Sequence, residues 1–220
     1  MRVLDLVLPQ RCAICETPGS PLCDGCRTTL TRLTPPVCER CGSPGPWPVR
    51  RCAECAGRRL AFAHARSAIV YDGQARRFVR SWKERGRRRL ACDAAALVAE
   101  VVPRPAVDAL VPVPGDPERA LRRGDVPSRG LAIELGRIWA LDIVDVLERS
   151  HALPRQRGLA LEERRRNVRG SVVASRTVPG QVCIVDDVYT SGATADACAS
   201  ACRRVGARQV RVVTLARAVR

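Results

Sequence analysis

Residues 182–194 read VCIVDDVYTSGAT, and they concentrate the chain's most specific chemistry. A hydrophobic run ends in two adjacent carboxylates, Asp186 and Asp187, and a turn follows at once. Two ionised neighbours repel each other, and a strand end is partly desolvated, so such a pair must be kept for what it holds. The turn contains Thr190, Ser191, Gly192, Ala193 and Thr194. Residues this small let backbone N–H groups close around an anion. The three hydroxyls add donors, and the start of the helix that follows adds partial positive charge. The loop reads as a phosphate site, whereas the acids suit neutral hydroxyls or a magnesium-bound group. Phosphate on one side and a diol on the other describe a ribose 5-phosphate.

Other readings of acids at a strand end fit less well. A nucleotide P-loop needs GxxxxGK[ST], which the sequence lacks. A receiver domain needs a lysine on a late strand, and Lys83 is the sole lysine. A merely capped helix leaves the paired aspartates unexplained.

A second constellation lies upstream. Of the 12 cysteines, eight form CxxC pairs before residue 56: Cys12/Cys15, Cys23/Cys26, Cys38/Cys41 and Cys52/Cys55. A CxxC turn aims two sulfurs at a point about 2.3 Å away, and two turns complete a tetrahedral metal site. Four pairs predict two structural Zn2+ sites. A complete thiolate shell leaves no position for catalytic water, and a reducing compartment disfavours the disulfide alternative. Spacing leaves both tandem and cross-braced pairing open. Cys92, Cys183, Cys198 and Cys202 lie in apolar periodic stretches and read as small core residues.

Elements that position these residues follow from periodicity. ARSAIVY reads as a strand and GQARRFVRSWKERG as a helix with Phe78, Val79 and Trp82 inward. RRLACDAAALVAEVV is a second helix, closed by Pro103 and Pro105, and DALVPVP a short buried strand. SRGLAIELGRIWAL is a helix, DIVDVLER a strand, and 151–170 a polar, arginine-rich loop opened by His151. SVVAS, the VCIVDD strand, a helix over 193–205 and the strand QVRVVTLARAV complete the chain. Strands alternating with helices predict an α/β fold with a mostly parallel sheet and helices on both faces. Ligands of such sheets bind outside the carboxyl ends of the strands. The domain plan is a zinc-ribbon module over 1–59 and the α/β domain over 60–220, with the boundary near Arg58–Ala61; His64 at this junction reads as structural.

Charge supports this division. The formal net charge is +16, almost all of the basic side being arginine. Residues 1–59 hold nine Arg and five Asp/Glu, and eight thiolates with two Zn2+ bring that module to about zero. Residues 60–220 hold 29 basic and 17 acidic side chains, a formal +12, which argues for anionic partners. No apolar run is long enough to span a membrane. The start MRVLDLVLPQRC makes a poor signal peptide and reads as a short docking helix, so the expected location is the cytoplasm.

The stretch IVDDVYTSGAT resembles the PRPP-binding signature of type I phosphoribosyltransferases. Four zinc knuckles before such a domain resemble one family more narrowly, the ComF (GntX-like) competence proteins. The likeness also covers VLDLVLPQRC, IVYDG with Lys83 on the next helix, LVPVP at 110–114 and GLALEERRRNVRG at 158–170. It implies a type I phosphoribosyltransferase-like domain that binds PRPP with Mg2+. Asp186 and Asp187 would hold the ribose 2- and 3-hydroxyls, and Thr190 to Thr194 the 5-phosphate. Gly115 and Asp116 would approach the pyrophosphate, with Arg164, Arg165 and Asn167 on a mobile loop, and Lys83 is a candidate anion contact. The resemblance further implies pentosyl transfer that releases pyrophosphate, and a role in DNA uptake beside a helicase-like partner at the inner membrane face. The alternative is an accessory module that binds single-stranded DNA without transfer chemistry. Asp125-Val126-Pro127 departs from the family, which usually carries an aromatic with Asn and Gln there.

Overall fold

A computed structural model describes residues 10–116, 126–150 and 171–219. The α/β part is built on a five-stranded sheet, all neighbours parallel, in the order β1-β7-β6-β2-β3. Its strands are β1 (Ala65–Val70), β2 (Ala109–Pro112), β3 (Asp142–Ile143), β6 (Gln181–Tyr189) and β7 (Gln209–Arg217). A separate antiparallel pair joins β4 (Leu147–Arg149) to β5 (Val172–Ala174). The helices are α1 (Asp24–Thr29) in the first ribbon, then α2 (Gly73–Glu84), α3 (Leu90–Val101), α4 (Pro127–Trp139) and α5 (Ala193–Arg204).

Alternation along the strands divides the core into two layers. Cys183 and Val185 of β6 face a cluster with Phe78, Trp82, Leu97, Leu131 and Leu135 from α2, α3 and α4. Val182 and Ile184 face the other cluster, where Ala197, Cys198, Ala201 and Cys202 of α5 lie. Helices therefore cover both faces, as the strand-helix alternation predicts. Local signals set the helix starts. The Asp72 side chain accepts from the N–H groups of Gln74 and Ala75, both at 3.0 Å, capping α2. Pro127 occupies the first turn of α4, where its missing N–H costs nothing.

Each ribbon packs into a different layer. Cys12, Ile14 and Leu22 join the cluster with α2, α3 and α4, whereas Cys38, Cys41 and Cys55 join the cluster with α5. Between the ribbons, residues 31–33 run beside β1, with Leu33 N–H donating to Ala68 O and Val70 N–H to Thr31 O, both at 2.8 Å. This link covers an otherwise open sheet edge. Gly42 turns with φ +70°, and a Cβ there would sit 2.6 Å from Ala65 O, so only glycine lets the third knuckle reach β1.

Three expectations need correction. DIVDVLER is not one strand: Asp142–Ile143 join the parallel sheet, and Leu147–Arg149 pair with β5 in the separate hairpin. Strand β6 does not end at Asp187 but continues to Tyr189, Asp186 lying opposite Thr214 and Tyr189 opposite Arg217. Cys92 is exposed on α3 rather than in the core, although Cys183, Cys198 and Cys202 are buried. The expected docking helix and the loop with His151, Arg164, Arg165 and Asn167 lie outside the described residues.

Candidate functional site

Two cysteine clusters resolve the pairing. Cys12, Cys15, Cys23 and Cys26 form one group and Cys38, Cys41, Cys52 and Cys55 the other, the ligand atoms of each lying within 4.8 Å of one another. Pairing is tandem. Sulfurs on a tetrahedron of about 2.3 Å bonds stand about 3.8 Å apart. The measured separations are 3.7 Å for Cys15–Cys23, 3.6 Å for Cys38–Cys55 and 3.4 Å for Cys41–Cys52. Both sets fit a structural Zn2+ with a closed shell.

At the carboxyl edge of the sheet a cleft of about 640 Å3 opens. Asp186, Asp187, Thr190 and Thr194 line one side, and Gly115, Asp116 and Ser128 the other. Strand β6 carries both acids to this rim on opposite faces. Asp187 is buried, and its Oδ2 lies 2.6 Å from Lys83 Nζ. Its N–H donates to Asp186 Oδ1 at 2.9 Å. Burial first and the Asp187 charge second push the Asp186 carboxyl up to about 7, with the Lys83 and Arg149 charges working against the rise.

After Tyr189 the chain turns through residues 190–192, and Gly192 is the N-cap of α5 with φ +74°. A Cβ on Gly192 would strike the Tyr189 hydroxyl and come within 2.6 Å of its Cζ, so the loop needs glycine for both space and backbone angle. The loop's hydroxyls and N–H groups gather at the start of a twelve-residue helix. That is an arrangement for an anion. Thr190 and Thr194 face the cleft, while Ser191 Oγ accepts from Ala193 N–H at 3.4 Å.

Across the cleft, Gly115 makes room for Val126, whose Cγ2 would lie 2.8 Å from a Cβ at that position. Val126 thus packs directly on the loop after β2. Three cleft arginines were not anticipated from the sequence: Arg76, Arg80 and Arg149. Arg76, Arg80 and Lys83 follow the helical spacing i, i+4, i+7 on α2, which is a legible signal. Arg80 is paired with Glu84 at 2.7 Å, and Arg149 donates to Pro114 O at 3.2 Å.

Fold and site together define the class: two tandem four-cysteine ribbons joined to a parallel α/β domain with an Asp-Asp rim and a small-residue loop. Residues 3–57 match the family model described as the double zinc ribbon domain. The chain is similar to Competence protein F of Haemophilus influenzae, 28% identical over 211 residues that cover 90% of each chain. DNA utilization protein YhgH of Salmonella typhi is 28% identical over 229 residues, covering 96% of this chain and 99% of that one. Among solved structures, a purine phosphoribosyltransferase from Pyrococcus horikoshii aligns with 61% of this chain and 75% of its own at a TM-score of 0.30 and 15% identity. TT1426 from Thermus thermophilus aligns with 59% of this chain and 83% of its own at a TM-score of 0.35 and 19% identity.

Proposed function

We propose that the cleft binds PRPP or a related ribose 5-phosphate together with Mg2+, in a protein that serves DNA uptake or use. The observation that carries this reading is the Asp186-Asp187 pair, with Lys83 at 2.6 Å from Asp187, followed within a few residues by the glycine-hinged loop that opens α5. The acids accept hydrogen bonds from the ribose hydroxyls, and residues 190–194 donate to the 5-phosphate. Asp186 best accepts when ionised, so sugar binding strengthens as pH rises through about 7. Gly115 and Asp116 face the pyrophosphate end, where Arg76, Arg80 and Arg149 supply positive charge. Because Lys83 already neutralises Asp187, the oxygens that hold Mg2+ come chiefly from the ligand. When bound, the ion offsets charge on the departing pyrophosphate.

The activity proposed is pentosyl transfer: a nucleophile bonds to C1 as the bond from C1 to the pyrophosphate oxygen breaks, its electron pair leaving with pyrophosphate. Thermal unfolding with PRPP and Mg2+ tests ligand binding. The wild type gains stability, and a variant with both Asp186→Asn and Asp187→Asn does not. A wild type with no PRPP-dependent shift refutes the proposal. Similarity to a competence protein and to a DNA utilization protein supports the biological setting.

A second reading, binding of single-stranded DNA without transfer, is favoured by a different surface. Arg40, Arg50, Arg51 and Arg66 line a cavity of about 670 Å3 with Glu39 and His64 at the junction of the second ribbon and the sheet. Burial and then the charges of Arg66, Arg211 and Arg40 hold His64 down at about 4, so it is neutral and the surface is read through its arginines. Trp47, 66% exposed on the same ribbon, supplies a face for a base. Affinity for an oligonucleotide should fall steeply between about 50 and 200 mM salt. Undetectable or salt-independent binding removes this reading.

A further inference from the structure

The second ribbon does more than pack beside the α/β domain: its Arg58 reaches the phosphate loop directly. Arg58 lies three residues beyond the last ligand, Cys55, and its Nη1 donates to Ser191 O at 2.7 Å. Ala61 N–H donates to Asp196 Oδ1 at 2.7 Å, in the first turn of α5, and Arg203 Nε donates back to Ala61 O at 2.5 Å. Tyr189, at the end of β6, lies with its ring under Gly192.

Arg217 ties that ring to the metal site. It is fully buried at the end of β7, with its guanidinium 4.6 Å from the Tyr189 ring centroid. Its Nη1 donates to Cys41 O at 2.6 Å, and its Nη2 to Glu54 Oε2 at 2.6 Å. Nη2 also lies 3.5 Å from Cys41 Sγ. Both carboxylate and carbonyl belong to the zinc knuckles, since Glu54 sits between Cys52 and Cys55. Phe62, from the linker, meets Tyr189 edge-on at 6.4 Å. The Tyr189 hydroxyl is buried, and burial pushes it up to about 12, so it stays protonated beneath the loop.

The first ribbon is wired elsewhere. Glu16 pairs with Arg85 at 2.8 Å, Arg27 and Arg32 pair with Glu100 at 2.9 and 3.1 Å, and Arg11 O accepts from Arg87 at 2.7 Å. These contacts hold α2 and α3.

We propose that Arg58 and Arg217 couple zinc at Cys38, Cys41, Cys52 and Cys55 to the shape of the 190–194 loop, so that metal at this ribbon sets the loop's hold on a sugar phosphate. The first half of this statement stands on the contacts above, and the second rests on the ribose-phosphate reading. Without metal, four cysteines do not keep a short ribbon folded. Glu54 and Cys41 O then leave a buried guanidinium unmatched, and the Arg58 tether to Ser191 is lost. Linkage is reciprocal, so a bound sugar phosphate tightens zinc at the second ribbon by the same factor. The first ribbon makes no such contact with the 190–194 loop among the described residues.

The test uses the full chain with both sites loaded, and reads amide hydrogen exchange at 190–194 beside calorimetry with ribose 5-phosphate. Arg58→Ala should retain both zinc ions, raise loop exchange, and weaken ribose 5-phosphate about 10-fold, the size expected of one charge-assisted hydrogen bond. Arg58→Lys keeps a donor and should recover part of both effects. In the wild type, ribose 5-phosphate should slow removal of one zinc of the two by a chelator. A variant with Cys12→Ser and Cys15→Ser should leave loop exchange unchanged, whereas one with Cys52→Ser and Cys55→Ser should raise it. Equal loop exchange in Arg58→Ala and wild type overturns the coupling, as does equal zinc release with and without ribose 5-phosphate when that ligand binds. If the wild type fails to bind ribose 5-phosphate while Arg58→Ala still loosens the loop, the coupling stands and the ribose-phosphate reading falls.

Discussion

Replacing Asp186 by asparagine should stabilise the protein in alkaline buffer while abolishing sugar binding. The carboxyl titrates near 4 in an unfolded chain and is pushed up to about 7 in the folded one by burial and by Asp187. Between those values the folded state binds a proton that the unfolded state has released, so stability falls as pH rises. Three pH units at about 1.36 kcal/mol each set a ceiling of about 4 kcal/mol. Asp186 is only partly buried at the open rim, and Lys83 offsets some of the cost, so about 2 kcal/mol is the working figure. Asparagine keeps the oxygen that accepts from Asp187 N–H and removes the charge. For a chain of this size, 2 kcal/mol corresponds to about 4–8 °C in Tm. Melting curves of wild type and Asp186→Asn should therefore coincide near pH 4 and separate progressively to pH 8, with the variant higher. Parallel curves at all pH values, or a variant less stable at pH 8, would refute the argument that the acid pair is held at a cost.

Three further outcomes follow from other parts of the structure. Gly192→Ala should weaken ribose 5-phosphate at least 10-fold by calorimetry, because a Cβ there meets the Tyr189 ring and the backbone is already at φ +74°. Arg217→Met should destabilise by about 3–5 kcal/mol in urea unfolding, since Glu54 and Cys41 O lose their buried partner. Metal analysis should give about two zinc ions per chain, and chelation should abolish the cooperative unfolding of the ribbons, because closed four-thiolate sites replace a core too small to hold them.

Much of the site was legible because its chemistry is contiguous. The acids, the turn and the helix start occupy one stretch, so their roles could be read before any long-range contact was known. Zinc pairing was not, because tandem and cross-braced ribbons use the same CxxC spacing, and only the clustering of the thiols in space separates them. The strand misjudged at 142–149 carried a warning in its pattern. Ile143-Val144 and Val146-Leu147 are adjacent apolar pairs, which break the period of two and mark a chain changing partners. Arg149 was missed for the same reason, since its place in the cleft depends on that bend. Arg76 and Arg80 needed only the helical spacing that already placed Lys83.

Arg58 and Arg217 were beyond sequence reasoning in a different sense. An arginine excess of this size makes any single arginine uninformative, and nothing local distinguishes these two from their neighbours. Their significance lies in sequence separation: Arg58 reaches Ser191, and Arg217 reaches Cys41 and Glu54. A buried guanidinium is costly unless its donors are met, and here the partners of Nη1 and Nη2 come from a metal-dependent turn. The paired aspartates show why that matters. A rim that holds two acids together against their repulsion has little stability to spare, so its loop must be fixed from outside. The second ribbon, docked on α5 and tethered to Ser191, is the element placed to fix it.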